Sequence, residues 1–275
     1  MIKPGFYTED SSRASDAMTY VELHCKSNFS FLEGASHADE LIARAAKLGY
    51  AGLAVTDRNS LAGIVRAHTA AKEHQLPLII GTEVTPQDAA PVVVWVTDRT
   101  AYGRLTRLIT CGRRRAPKGE CWLSQQDIAE HSSGLVAGIL PTHLNSSQLT
   151  NDCHQYRDIF ADRLYLLAEP QAGADDRQQL RSLAEVARRT RVPLLAAGDV
   201  HYHSPARLPL HDVLTAIRHG TTVDEAGDLL FPNAQRHLKS LTDLATTFAD
   251  IPDALRRTVE VASRCHFSLD ELRYE

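Results

Sequence analysis

Five side chains in this sequence could together hold a metal ion and turn water on a phosphoester. His24, Asp57, Glu83, Asp199 and His201 offer imidazole nitrogens and carboxylate oxygens, a donor mix that suits Zn2+, Mn2+ or Fe2+. Asp199, His201 and His203 stand at i, i+2 and i+4, so an extended backbone points all three to one side. Pro205 argues against a helix there. Asp199 and His201 form the strongest ligand pair, and His203 reads as a supporting or surface residue. Glu33 follows His24 in a loop and precedes Gly34, as an acid at a metal or phosphate site often does. Any one of these residues alone reads more readily as a group satisfied by its own loop. The set together argues for a site that is, or once was, a metal site.

The elements that must position them are short strands, each ending on one of these residues. Val21–Leu23 delivers His24, residues 51–56 deliver Asp57, residues 78–80 lead to Glu83, and residues 193–197 lead to Asp199. Further strands are expected at 92–96, 135–140 and 163–167. Between them apolar residues recur with helical spacing, as at Leu41, Ile42, Ala45 and Leu48. Ser36 with Asp39 resembles a capping box for that first helix, and Ser60 is placed at the start of the second. Other helices are expected through Leu105 and Leu108 and at 124–131, 145–157, 178–190, 208–218 and 252–265. The Arg-rich run at 111–119 reads as a loop. Strands alternating with helices imply parallel βαβ units. Seven strands suggest a closed or nearly closed barrel, with the working site at the C-terminal strand ends.

Composition narrows the classes. The chain has 275 residues, 43% of them hydrophobic, and a formal net charge of -4. That balance argues against gripping nucleic acid by overall charge. Arg113, Arg114 and Arg115 could contact phosphate, although a solvated run is the commoner meaning of such residues. Five cysteines, none in a C-x-x-C pair, argue against a disulfide framework and a zinc ribbon. No stretch has the apolar length of a membrane span or signal peptide, which points to a cytoplasmic protein. Residues 1–18 read as a flexible leader, and Met18 is a second candidate start beside Met1.

Residues 24–36 (His-Cys-Lys-Ser-Asn-Phe-Ser-Phe-Leu-Glu-Gly-Ala-Ser), 53–57, 112–120 and 198–203 (Gly-Asp-Val-His-Tyr-His) resemble a PHP (polymerase and histidinol phosphatase) domain. In particular they resemble the N-terminal PHP region of the bacterial error-prone DNA polymerases, relatives of the polymerase III alpha subunit. Residues 217–227 and 264–274 extend the likeness to the C-terminus. The resemblance implies an α/β fold, a distorted seven-stranded (β/α) barrel over 19–235. A helical extension over 236–275 then leads toward an absent polymerase region. It implies DNA polymerase (nucleotidyltransferase) chemistry elsewhere, in damage-tolerant synthesis, so this chain is expected to be a fragment or split product. Its partners would be the polymerase domains, DNA indirectly, and other replication or repair proteins, with no membrane.

PHP domains that are active hold up to three metal ions and hydrolyse phosphoesters. The resemblance carries the ligand roles onto His24, Asp57, Glu83, Asp199 and His201, with Glu33 where the family usually has an aspartate. Lys26 replaces the second histidine of the first motif, and Arg58 replaces the histidine after Asp57. Pro91 and Val92 occupy the region of an expected histidine, and Pro141 takes a further ligand position. A lysine ammonium about 4 Å from a divalent ion opposes it by roughly 8 kcal/mol at an effective dielectric of about 20. Lys26 and Arg58 are therefore expected to pair with Asp57, Glu33 or Glu83. No cofactor is expected at full occupancy, and any residual ion would be Zn, Mn or Mg. The expected role is a non-catalytic structural module. The alternative is a free-standing metal-dependent phosphoesterase or 3′–5′ exonuclease.

Overall fold

The computed structural model describes residues 18–141 and 146–272. Residues 1–17 of the expected leader, the choice of start at Met1, the first residue of the 145–157 helix and the last three residues of the chain lie outside them, while Met18 is partly buried against the core. The strands are β1 (Val21–Glu22), β2 (Gly52–Val55), β3 (Leu78–Val84), β4 (Val92–Val96), β5 (Leu135–Ile139), β6 (Leu164–Ala168) and β7 (Leu194–Ala196). The helices are α1 (Ala38–Lys47), α2 (Ile64–His74), α3 (Arg99–Arg115), α4 (Gln125–His131), α5 (Ser146–Phe160), α6 (Asp176–Thr190), α7 (Leu208–His219), α8 (Leu241–Thr247) and α9 (Pro252–Arg264).

The seven strands form one sheet in sequence order. It curls until its edges meet: Lys26 N donates to Val200 O at 2.8 Å, and Val200 N donates to His24 O at 2.9 Å. This is the distorted seven-stranded (β/α) barrel expected above, with one correction. The β3–β4 and β4–β5 pairs are antiparallel, and the other four are parallel. Only residues 85–91 join β3 to β4, too few for the crossover that a parallel pair needs. β4 and β5 are separated by two helices, α3 and α4, rather than one.

Alternation along the strands splits the apolar residues into two layers. Val93 and Trp95 of β4 point into the barrel with Leu23, Ile79 and Leu167, while Val92, Val94 and Val96 face the surrounding helices. Trp95 is fully buried and donates its indole N–H to Leu23 O at 2.8 Å. Helix α9 packs on β1 and β7, and Val21 N donates to Thr258 Oγ1 at 3.2 Å. The mouth at the other end of the strands carries the polar groups.

Two local expectations change. Helix α1 is entered through His37, whose N–H donates to Glu40 Oε2 at 2.9 Å, instead of being capped by Ser36. Ser36 Oγ instead accepts from His203 N at 3.0 Å. The run 111–115 is helical, because α3 extends to Arg115, so the three arginines occupy a last helical turn and not a loop. Cations suit that position because helix carbonyls collect partial negative charge there. Among the described residues, no helix is long and apolar enough to cross a membrane.

Candidate functional site

The bridge that closes the sheet joins Cys25 to Val200. Closure therefore sets His24 and Lys26 directly across from Asp199 and His201. A second bridge, Arg58 to Glu83, brings the β2 tip beside β3. Residues from strands far apart in the chain thus meet at one mouth.

Lys26 occupies its centre and is 3% exposed. Its Nζ lies 2.8 Å from Glu83 Oε2 and 2.7 Å from Asp199 Oδ1. Arg58 reaches in from the rim, with Nε 2.9 Å from Glu83 Oε1 and Nη1 2.5 Å from Glu33 Oε1. Arg236 pairs with the other oxygen of Asp199 and stacks its guanidinium over Phe231 at 4.3 Å. His24 bridges two acids, with Nδ1 2.6 Å from Glu169 Oε1 and Nε2 3.1 Å from Glu83 Oε2.

These contacts set the protonation states. Burial opposes charge on Glu83, but Lys26, His24 and Arg58 together outweigh it and hold the carboxyl well below its ordinary range. Burial and Lys26 both push the His24 imidazole down, and Glu169 and Glu83 overcome them, so its pKa is raised. His201 goes the other way: burial and Lys26 push it well below an ordinary histidine. His201 Nδ1 lies 3.2 Å from Glu33 O, and Nε2 lies 3.5 Å from Lys26 Nζ and 3.2 Å from Asp199 Oδ1. As a neutral ring donating from Nδ1–H to the carbonyl, it can accept from Lys26 at Nε2.

The mouth opens into a cavity of about 440 Å³. Pro91 and Pro141 line it, so the positions where ligands were expected present carbon instead. Each acid facing the cluster has an oxygen committed to an ammonium, guanidinium or imidazole. As arranged, these residues do not fit a divalent-metal cluster: an ion there would have to displace Lys26 from both Glu83 and Asp199.

Asp57 requires a correction. It was expected to ligate metal or pair with Lys26 or Arg58. Instead Oδ1 accepts from Ser27 N at 2.7 Å, Ser30 N at 3.1 Å and Ser30 Oγ at 2.8 Å, and Oδ2 accepts from Ser27 Oγ at 2.7 Å. It fastens the loop that presents Glu33. Gly34 is forced by the same packing, since a Cβ there would lie 1.9 Å from Ser27 O. Gly34→Ala should cost about 3 kcal/mol, the upper part of the overpacking range. Urea denaturation reads it, and an unchanged midpoint would contradict this close approach.

The arginine run lies outside the cluster. Arg113 donates to Asn59 O at 3.0 Å and Gly119 O at 3.1 Å. Arg115 lies 2.6 Å from Asp127 Oδ2, and this bond leads the effects that hold the Asp127 carboxyl at about 2.

Three participants were missed from sequence. Glu169 directly follows β6, so the strand-tip rule that found Glu83 could have found it. Arg236 lies between α7 and α8 and has no local signal. Glu22 lies inside β1, where a buried acid breaks the apolar pattern. It accepts from Tyr20 Oη at 2.9 Å, His24 N at 2.9 Å and Gly198 N at 3.0 Å. It therefore ties the first and last strands together beneath the mouth.

A curled seven-stranded sheet with helices outside and an acid–histidine mouth defines a class, and residues 22–169 match the PHP domain. The chain belongs to the PHP domain family. It is similar to the error-prone DNA polymerase of Rhodopirellula baltica, with 50% identity over 280 residues, 98% of this chain and 24% of that protein. It is also similar to the error-prone DNA polymerase of Pseudomonas aeruginosa, with 46% identity over 257 residues, 93% and 24%. The chain thus spans about a quarter of the length of these relatives. Two solved structures share the fold. One, from Bifidobacterium adolescentis, is described as a metal-dependent phosphoesterase (TM-score 0.51, 18% identity). The other is an amidohydrolase from Chromobacterium violaceum (TM-score 0.54, 17% identity). Each covers 67% of this chain and 88% of its own.

Proposed function

We propose that this chain acts as the PHP module of an error-prone DNA polymerase, with a barrel mouth that supports structure and does not hydrolyse phosphoesters. The observation that carries the second half is the Lys26 ammonium, bonded to both Glu83 and Asp199. It stands where a PHP hydrolase needs a neutral ligand. Arg58 and Arg236 add two further cations. The likeness to error-prone DNA polymerases over 93–98% of the chain supports the first half. On this reading polymerisation belongs to the longer protein, and the module contacts the polymerase domains and DNA only through them. Other replication or repair proteins are further partners, in damage-tolerant synthesis in the cytoplasm.

Elemental analysis of the purified chain tests the mouth directly. Zn, Mn and Fe should each be well below one ion per chain. Hydrolysis of p-nitrophenyl phosphate with added Mn2+ should stay at the buffer rate. Stoichiometric metal, or metal-dependent turnover that Asp199→Ala abolishes, would replace this reading with a phosphoesterase.

A further inference from the structure

Helix α7 buries polar side chains beside Ala216. His211 and Thr215 face inward and are buried, 2% and 0% exposed. His211 stacks on Phe231 with ring centroids 4.3 Å apart. Three exposed positions on the outward side are aliphatic: Leu210, Val213 and Ile217 are 41%, 43% and 59% exposed. Their i, i+3, i+7 spacing is the stripe that a helix ordinarily buries in a core.

The last turn of α7 is tied to the loop before α1. Arg218 Nη1 lies 3.3 Å from Glu33 Oε1, in the loop that carries Phe31. Phe31 is 80% exposed. Three aliphatic residues on one side of a helix mark an interaction surface, while singly scattered apolar residues need no explanation.

We propose that the outer face of α7, with Phe31 at its edge, is the surface on which this module docks against the polymerase body of the longer protein. This rests on the reading of the chain as a polymerase module. The relatives it matches are about four times its length, so roughly three quarters of such a polypeptide must be packed somewhere. An apolar helix face outside the module's own core is the surface that such a body can cover. The outward stripe carries no charge at its three aliphatic positions, which favours a protein surface over a nucleic-acid backbone.

Hydroxyl-radical footprinting of two proteins tests this. One is the isolated chain. The other is the Rhodopirellula baltica polymerase carrying this chain in place of its own matching residues. Leu210, Val213 and Ile217 should oxidise at least fivefold more slowly in the chimera. Buried Trp95 should stay protected in both as a check of folding. Equal oxidation of the α7 residues in a folded chimera would overturn the proposal. So would protection in the isolated chain that grows with its concentration, because a second copy would then be the occupant.

A measurement on the isolated chain guards against a chimera that does not fold. Val213→Gln with Ile217→Gln should leave its thermal midpoint within about 4 °C of wild type, since two surface substitutions together cost up to about 1 kcal/mol. A larger fall would place the face in the module's own core and overturn the proposal. Neither experiment reads metal, so failure here and failure of the hydrolytically silent mouth are separable results.

Discussion

Lys26→Met should lower the stability of the isolated chain by about 3 kcal/mol, the low end of what breaking a buried ion pair costs. The low end applies because each stranded acid keeps a cation. Glu83 retains Arg58 and His24, and Asp199 retains Arg236. For a chain of this size the thermal midpoint should fall by roughly 6–12 °C. Added metal makes the test sharper. Without the ammonium, Arg58, Arg236 and His24 still balance Glu83, Glu169 and Asp199, but the space between Glu83 Oε2, Asp199 Oδ1 and the neutral His201 ring no longer holds a cation. Mn2+ or Zn2+ should then stabilise the variant by the binding linkage, about 2.7 kcal/mol at a hundredfold excess over its dissociation constant. Wild type should gain nothing, because the ion must first displace Lys26. Thermal midpoints of both proteins with and without 1 mM-scale metal (about a hundredfold excess) decide the matter. An equal gain in both would show that Lys26 does not hold the metal's place.

The sequence made the barrel legible through its strand tips. His24, Glu83, Asp199 and His201 each follow or end a short apolar run, and the sheet's curl brings them together. Lys26 and Arg58 could be recognised as cations in a ligand pattern, and both pair with acids of the mouth. Their partners were only partly readable. Glu33 and Glu83 were anticipated, but Asp57 turns to Ser27 and Ser30, because four nearby donors can satisfy a buried carboxylate locally. Lys26 also takes Asp199, a pairing made only by closure of the first strand on the last. Arg236 and the two antiparallel strand pairs carry no periodic or motif signal. They follow from connection length and from loop packing between remote segments.

The cluster also explains why single ligand positions mislead. Glu22 and Gly198 serve the same closure from below, since a Cβ at Gly198 would lie 2.6 Å from Glu22 Oε2. A glycine next to Asp199 is thus required by an acid that never faces the mouth. Burial pushes the Glu22 carboxyl up, with His24 N, Gly198 N and Tyr20 Oη opposing that shift. Strand closure, metal-motif spacing and charge balance all rest on the same few residues. Changing one charge should therefore alter folding stability before it alters chemistry.

Glu83→Gln provides the complementary test. Glu83 lies within 3.1 Å of three positive or protonatable groups: Lys26, Arg58 and His24. The amide keeps the shape and removes the charge, so the loss should again be about 3 kcal/mol near neutral pH. Its pH dependence carries a definite sign. Because the folded carboxyl is held well below its unfolded value, its contribution is fully present above about pH 4.5. It is lost as pH falls through the folded value, where protonation no longer distinguishes the two states. The gap between wild type and Glu83→Gln should therefore narrow on acidification below about pH 4.5. Raised His24 acts at the other end: its contribution is complete below about pH 6.5 and disappears as pH rises through its folded value. Removing Glu83 takes away one of the two acids that raise it, so the alkaline limb should flatten in the variant. Urea denaturation from about pH 3 to pH 9 measures both limbs. A gap that stays constant over that range would mean that the charge of Glu83 is not the source of the difference, and the ion-paired mouth would no longer account for the stability of the barrel.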